Sequence, residues 1–188
     1  MTRGVVILGS TGSIGVQALD VLRSHRNDYH LVAIAAGRNA ERLERATDFG
    51  ADATVSLEED DLVAAFKEAA GGEGPTYIVD TLWGPPAAAA IQSAANGWRL
   101  VQIGQSAGAE VSLASAPIRG KMGELYGFTD FAVPATDFRE HFLRLVDHAA
   151  AGEIIFDIET YPLERVADAW ERQAHGAAAK IVVTLPSM

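Results

Sequence analysis

The chain has 188 residues, no cysteine, 15 basic against 25 acidic side chains and a formal net charge of −10. That length suits about one domain, and the lack of cysteine excludes a disulfide framework, cysteine-bound zinc and thiol catalysis. The acidic balance argues against nucleic acid as partner; with no apolar run of roughly 18 residues and no secretory signal pattern, a folded cytoplasmic domain away from the membrane is expected.

In chain order, the apolar run Val5-Val6-Ile7-Leu8 closing on Gly9 predicts a strand buried on both faces. Ile14, Ala18, Val21 and Leu22 then recur at helical spacing. Leu31 to Ala36 predicts a second strand, Glu41 to Phe49 a helix, and Ala53 to Val55 a short third strand. Glu58 to Asp61 are four acids opening a helix that carries Leu62, Ala65, Phe66 and Ala69; acids suit a helix N-terminus better than they imply a metal site. After the breakers Gly71 to Pro75 come a strand at Tyr77 to Val79, a helix opened by Pro85-Pro86, a strand at Leu100 to Ile103 and a sixth at Leu125 to Phe131. Phe138, Phe142, Leu145, Val146 and Ala149 form the clearest helical stripe, and beyond Gly152 the pattern reads strand (154–160), helix (Leu163, Val166, Ala167, Trp170) and strand (181–183). Strands joined by helices of this length pair in parallel. The expected fold is α/β: a doubly wound, six-stranded parallel sheet of the dinucleotide-binding (Rossmann) type over residues 1–152, with a strand-helix-strand extension over 153–188 that packs on it.

Between the first strand and its helix lies Gly9-Ser10-Thr11-Gly12-Ser13-Ile14-Gly15, a G-x-x-G-x-x-G variant of the phosphate-binding loop. Gly9 permits the tight exit from the strand, Gly12 a close approach of backbone to a pyrophosphate, and Gly15 close packing of helix on sheet. Free N–H groups at the helix N-terminus face the phosphates, where the dipole also favours negative charge. At the end of the second strand stand Gly37, Arg38 and Asn39, with no Asp or Glu to accept from ribose hydroxyls. An arginine there suits a 2′-phosphate, so NADP(H) is the expected cofactor. Ligands of open α/β sheets sit at the carboxyl ends of the strands, which nominates Thr81, Leu82 and Trp83 after strand four, and Gly104 and Gln105 with Ser106 after strand five. Trp83 reads equally well as a core or interface aromatic.

Other chemistry finds little support. None of Lys67, Lys121 and Lys180 stands four residues after a tyrosine, as a short-chain dehydrogenase requires, and His141 and His148 lack the H-E-x-x-H pattern. No G-K-[ST] loop occurs. No catalytic residue and no metal ligand is therefore nominated.

Two families are resembled. Residues 4 to about 39, with ILGSTGSIG, LDVLR and AIAAGRN, are similar to the start of 1-deoxy-D-xylulose-5-phosphate reductoisomerases. Residues from about 50 to 188, through FGADATV, IVDTLWG, GWRLVQIGQSAG, RGKM and YPLERVADAW, resemble the medium-chain dehydrogenase/reductase superfamily of zinc-type alcohol dehydrogenases and quinone reductases. Residues 1–50 carry six basic and five acidic side chains and the remainder nine and twenty, a charge break that agrees with a chimera or truncation. Both resemblances imply an NADP(H) site at Gly9 to Gly15 and Gly37 to Asn39, and neither implies a complete active site here. The expectation is a nicotinamide-dinucleotide-binding domain of oxidoreductase lineage without a full catalytic site. A working NADPH-dependent quinone or alcohol-type reductase, and a non-catalytic engineered scaffold or redox-responsive module, are the alternatives. A homodimer through the sheet edge near 125–131 is expected from the resemblance, which also leaves Ile154 to Phe156 and Trp170 as uncovered surface.

Overall fold

The computed structural model of the chain describes residues 3–9, 18, 22, 25, 27–36, 43, 44, 47, 51–152, 158–175 and 179–186. The chain divides into two compact units, 1–133 and 134–188. The division falls before the long helix that follows Pro134, whereas the sequence reading set its boundary after that helix, at 152.

Six strands of the first unit form one sheet: β1 (Arg3–Leu8), β2 (Tyr29–Ala36), β3 (Thr54–Ser56), β4 (Tyr77–Asp80), β5 (Arg99–Gln102) and β6 (Glu124–Gly127). Their order is β3-β2-β1-β4-β5-β6, and every neighbouring pair is parallel. This is the doubly wound order with the chain reversing direction across the sheet between β1 and β4.

The apolar run of β1 explains its central place. Side chains alternate across a strand, so a run without polar interruption must be covered on both faces. Val6 and Leu8 enter one core with Ile78, Leu100, Phe66, Ala90, Ile91 and Trp98. Val5 and Ile7 enter the other with Leu31 and Ala51, flanked by Ala18 and Leu22. Val5 is 2% exposed and the other three are fully buried, each contributing about 1.5–3 kcal/mol by leaving water.

Helices α1 (Leu62–Ala69) and α2 (Gly84–Ser93) pack against each other and supply Phe66, Ala90 and Ile91 to the first core. Asp61 caps α1, accepting from the Ala64 N–H at 3.0 Å. Of the four acids foreseen at this start, then, one is the cap and three precede it. Small Ala87 and Ala90, both fully buried, let α2 lie close to the sheet. Ala18, Leu22, Leu43, Glu44 and Thr47 are helical, as the spacing predicts.

A short helix, α3 (Ser115–Gly120), was not foreseen, because six residues hold too little periodicity to announce themselves. It is tied to the core through Trp98, whose Nε1 donates to Pro117 O at 3.0 Å. Gly123 lies against the indole, where a β-carbon would overlap it. Lys121 Nζ donates to the Gln92 and Ala94 carbonyls at the end of α2, a favourable place for a cation.

The sixth strand is shorter than expected. It ends at Gly127 and gives way to a 3₁₀ turn at Asp130–Ala132, which the Thr129 hydroxyl begins by accepting from the Phe131 N–H. Among the described residues it has a strand partner on one side only, and 125–131 is strand in its first part alone.

In the second unit, α4 (Ala135–Ala150) carries the predicted stripe, with Phe138 and Phe142 exposed and stacked at 6.4 Å. Strands β7 (Ile158–Pro162) and β8 (Lys180–Thr184) pair in parallel, joined through a 3₁₀ turn and α5 (Val166–Ala174). This is the strand-helix-strand element read from the sequence, with positions 154–157 of its expected first strand lying outside the described residues. Trp170 is 77% exposed, and 154–156 lie outside the described residues.

Candidate functional site

The carboxyl ends of β1, β4 and β5 meet where the sheet order reverses, and the residues that follow them are laced together by backbone. Gly9 leaves β1 at φ +76, a conformation that glycine adopts without cost. A β-carbon there would collide with Thr81 Oγ1 and stand 2.9 Å from Leu82 Cδ2. Thr81 Oγ1 donates to Leu8 O at 2.8 Å, so the hydroxyl that fills this space is itself held by β1.

From β4 the chain enters a tight turn. Asp80, fully buried, accepts from the Leu82 and Trp83 N–H groups through Oδ1, both at 2.9 Å. Its other oxygen, Oδ2, is buried and has no hydrogen-bond partner among the described residues. Burial raises the carboxyl above its ordinary 3.8, and the bonds from Trp83 and Leu82 oppose that rise. Trp83, half-buried, takes φ 56 and ψ −157, and Gly84 follows at φ 63 to open α2. Positive φ is expected of glycine and unusual for a bulky residue.

The loop after β5 binds to this turn. Ile103 N donates to Asp80 O at 2.7 Å, and Ala107 N to Leu82 O at 2.8 Å. A β-carbon on Gly104 would come within 2.5 Å of Thr81 O, so only glycine permits this approach of the two backbones. The Gln102 side chain donates to Gly104 O at 2.8 Å, and Ser106 Oγ to Thr81 O at 3.3 Å. The result is a rigid wall of backbone and small side chains beside the start of the glycine loop.

Of the nominated residues, Gly9, Thr81, Leu82, Trp83 and Gly104 thus come together at one end of the sheet, and Gln105 is exposed on the loop after β5. Ser10, Thr11, Gly12, Ser13, Ile14, Gly15, Gly37, Arg38 and Asn39 lie outside the described residues. Sequence reasoning passed over Asp80. Its signal was present as an acid closing an otherwise apolar strand, Tyr77-Ile78-Val79-Asp80. The described end of the site suits a dinucleotide: glycines stand where backbone must approach closely, and the residue after β1 has the left-handed geometry that starts a phosphate loop. Among the described residues no group of three His, Asp or Glu is placed to hold a metal ion, and no helix is long and apolar enough to cross a membrane.

Comparison with solved structures places the architecture. The structure of AibC matches with a TM-score of 0.82 and 19% identity, over 98% of this chain and 49% of that one. A quinone oxidoreductase from Pseudomonas syringae pv. Tomato DC3000 matches at 0.78 and 19%, over 97% of this chain and 56% of that. CurA from Vibrio vulnificus, solved in complex with NADPH, matches at 0.77 and 18%, over 100% and 58%. At these identities the likeness is one of fold alone.

Sequence comparison adds a family. The chain is 45% identical over 85 residues to the 1-deoxy-D-xylulose 5-phosphate reductoisomerase of Symbiobacterium thermophilum, which is 45% of this chain and 22% of that protein. It is 33% identical over 120 residues to that of Chlorobium phaeobacteroides, 63% of this chain and 30% of that protein. The chain therefore spans between about a fifth and a third of the length of these curated relatives. The family model matches residues 5–117, well past residue 39, where the sequence reading ended the resemblance. With more than half of its residues matched in this way, the chain belongs to the 1-deoxy-D-xylulose 5-phosphate reductoisomerase family.

Proposed function

We propose that the first unit binds NADP(H), with the pyrophosphate on the loop from Gly9 to Gly15, the 2′-phosphate on Arg38 and Asn39 beyond Gly37, and the nicotinamide half beside Thr81, Leu82, Trp83, Gly104 and Gln105. The observation that carries this reading is Gly9: left-handed, at the carboxyl end of the central strand, beside the point where the strand order reverses. Thr81, Gly104 and the turn between them supply a fixed surface that orients a ring and keeps water from one side of it. When bound, the cofactor supplies a hydride donor or acceptor; the chain supplies position.

Fluorescence titration with NADPH and NADH tests the assignment. NADPH is expected to bind more tightly, and Arg38→Ala to remove most of that preference. Equal affinities, or no loss on substitution, would refute the 2′-phosphate contact. We further take this domain by itself to bind cofactor without reducing a second substrate. NADPH consumption with a panel of quinones is then expected at the buffer rate, and turnover above it would assign the domain a working substrate site.

The edge strand β6 supports a homodimer. One side of β6 has no strand neighbour among the described residues, and Leu125, Tyr126, Phe128 and Phe131 are exposed in and after it. Unpaired edges with apolar side chains favour pairing with another chain. Sedimentation at micromolar concentration is expected to show a dimer that Leu125→Lys converts to monomer; a monomeric wild type would refute it.

A further inference from the structure

Asp80 is a charged residue with no contact to solvent, at the foot of the only turn among the described residues that puts a tryptophan in left-handed backbone. A bulky residue at positive φ persists only where its surroundings over-determine it. Here the restraints can be named. Asp80 Oδ1 binds the amides of Leu82 and Trp83, the Ile103 N–H grips the Asp80 carbonyl, and the Ala107 N–H grips that of Leu82. Gly84, next in the chain, is itself confined, since a β-carbon there would stand 3.0 Å from Ala107 O. Two of these restraints are hydrogen bonds from backbone to backbone, and the third needs glycine at 84. The fourth is the Asp80 carboxyl, which alone among them acts on the Trp83 amide.

We infer that Asp80 is a positioning residue: through its paired bonds to Leu82 and Trp83 it holds Trp83 in left-handed backbone and so sets the wall that a nicotinamide ring would meet. The inference rests on the proposed cofactor site for its ligand, and on the turn geometry for the rest. Trp83 is the side chain that would touch the ring; Asp80 acts through it. Oδ2, without a hydrogen-bond partner among the described residues, marks the cost of this arrangement, because a buried polar atom so placed is retained only where another interaction of the same group outweighs it.

The test uses the full chain labelled with 5-fluorotryptophan, whose three tryptophans give three fluorine resonances. In the absence of cofactor, Asp80→Ala is expected to shift or broaden the Trp83 resonance and leave those of Trp98 and Trp170 in place. Asp80→Asn, which keeps the accepting oxygen, is expected to restore the Trp83 resonance. A loss of overall stability alone would move Trp98, which is fully buried in the core. An unmoved Trp83, or all three resonances moving together, overturns the inference.

Should Asp80→Ala fail to fold, the Trp83→Gly background decides. Glycine adopts this backbone freely, so the double variant is expected to fold, and a double variant that also fails would overturn the inference.

Titration with NADPH and with 2′-phospho-ADP-ribose, which lacks the nicotinamide, completes the test. Asp80→Ala is expected to weaken NADPH about tenfold, the loss of one hydrogen bond's worth of positioning, and to leave the truncated compound unchanged. Equal weakening of both overturns the inference. Failure of the wild type to bind either compound would instead refute the cofactor reading, while the fluorine spectra still judge Asp80.

Discussion

Gly9→Ala offers a direct measure of how tightly the first and fourth strands are joined at the candidate site. Two costs add. A left-handed backbone at φ +76 charges an L-residue about 1–2 kcal/mol. The new methyl group would collide with Thr81 Oγ1 and sit 2.9 Å from Leu82 Cδ2, and pushing packed neighbours aside costs about 1–3 kcal/mol. A loss near 3 kcal/mol follows, equivalent to roughly 6–12 °C in Tm for a chain of this size. Thr81 cannot yield cheaply, because its hydroxyl is bound to Leu8 O at 2.8 Å. Thr81→Ala removes that hydroxyl at a cost of about 1 kcal/mol and opens the space the methyl needs. Urea denaturation of the four members of this cycle is the assay. The double variant should lose about 1–2 kcal/mol less than the sum of the singles, a coupling expected of residues in contact. Strict additivity, or a Gly9→Ala loss below 1 kcal/mol, would refute the close approach of β1 and β4 on which the site rests.

Gly123→Ala drives a methyl group into the indole of the fully buried Trp98 and should cost about 1–3 kcal/mol in denaturation. Gly120→Ala, three residues earlier in α3 with open space around it, should be neutral or gain up to about 1 kcal/mol; equal effects would refute the packing of Trp98 against Gly123. Asp80 predicts a pH dependence whose sign follows from its direction of shift. Burial raises its folded pKa above the ordinary 3.8, so between those two values the folded state binds more protons than the unfolded one and stability falls as pH rises. The stability of wild type relative to Asp80→Asn should thus be greatest below the ordinary 3.8 and decline as pH rises through the folded pKa. A difference that is flat or rises with pH would show the carboxyl to be ionised and satisfied. Lys121→Met removes the cation from the last carbonyls of α2 and should lower stability by about 0.5–1 kcal/mol, an effect that a Tm unchanged within error would exclude.

How much of this was legible in the sequence depends on the range of the interaction concerned. Val5 to Leu8 announced a strand covered on both faces because an unbroken apolar run has no other stable use in a water-soluble sheet. The division of its side chains between two cores then follows from alternation alone. Gly9 after it announced a tight exit from the strand, since the requirement for positive φ there is local. What stayed hidden was set by pairs far apart in the chain. Gly123 is one glycine among 18 until Trp98, 25 positions earlier, is seen to occupy its missing β-carbon. Gly104 is a strand terminator until the Thr81 carbonyl is seen against it. The overrun of β6 has the same origin: Leu125 to Phe131 is apolar enough for strand throughout, but an edge strand lacks the second neighbour that would hold Phe128 to Phe131 extended.

Asp80 joins both kinds of information. Its place at the end of a strand was readable, yet its meaning depends on a turn that bends back onto it within three residues and on a loop from β5 that seals it from water. A sealed acid is costly unless its bonds do something that water cannot. In this turn they hold two amides in one fixed direction, at the end of the sheet where the proposed cofactor site lies. The residue that composition would rank as least suited to the core is thus the one whose burial is best explained by what the core presents to the crevice.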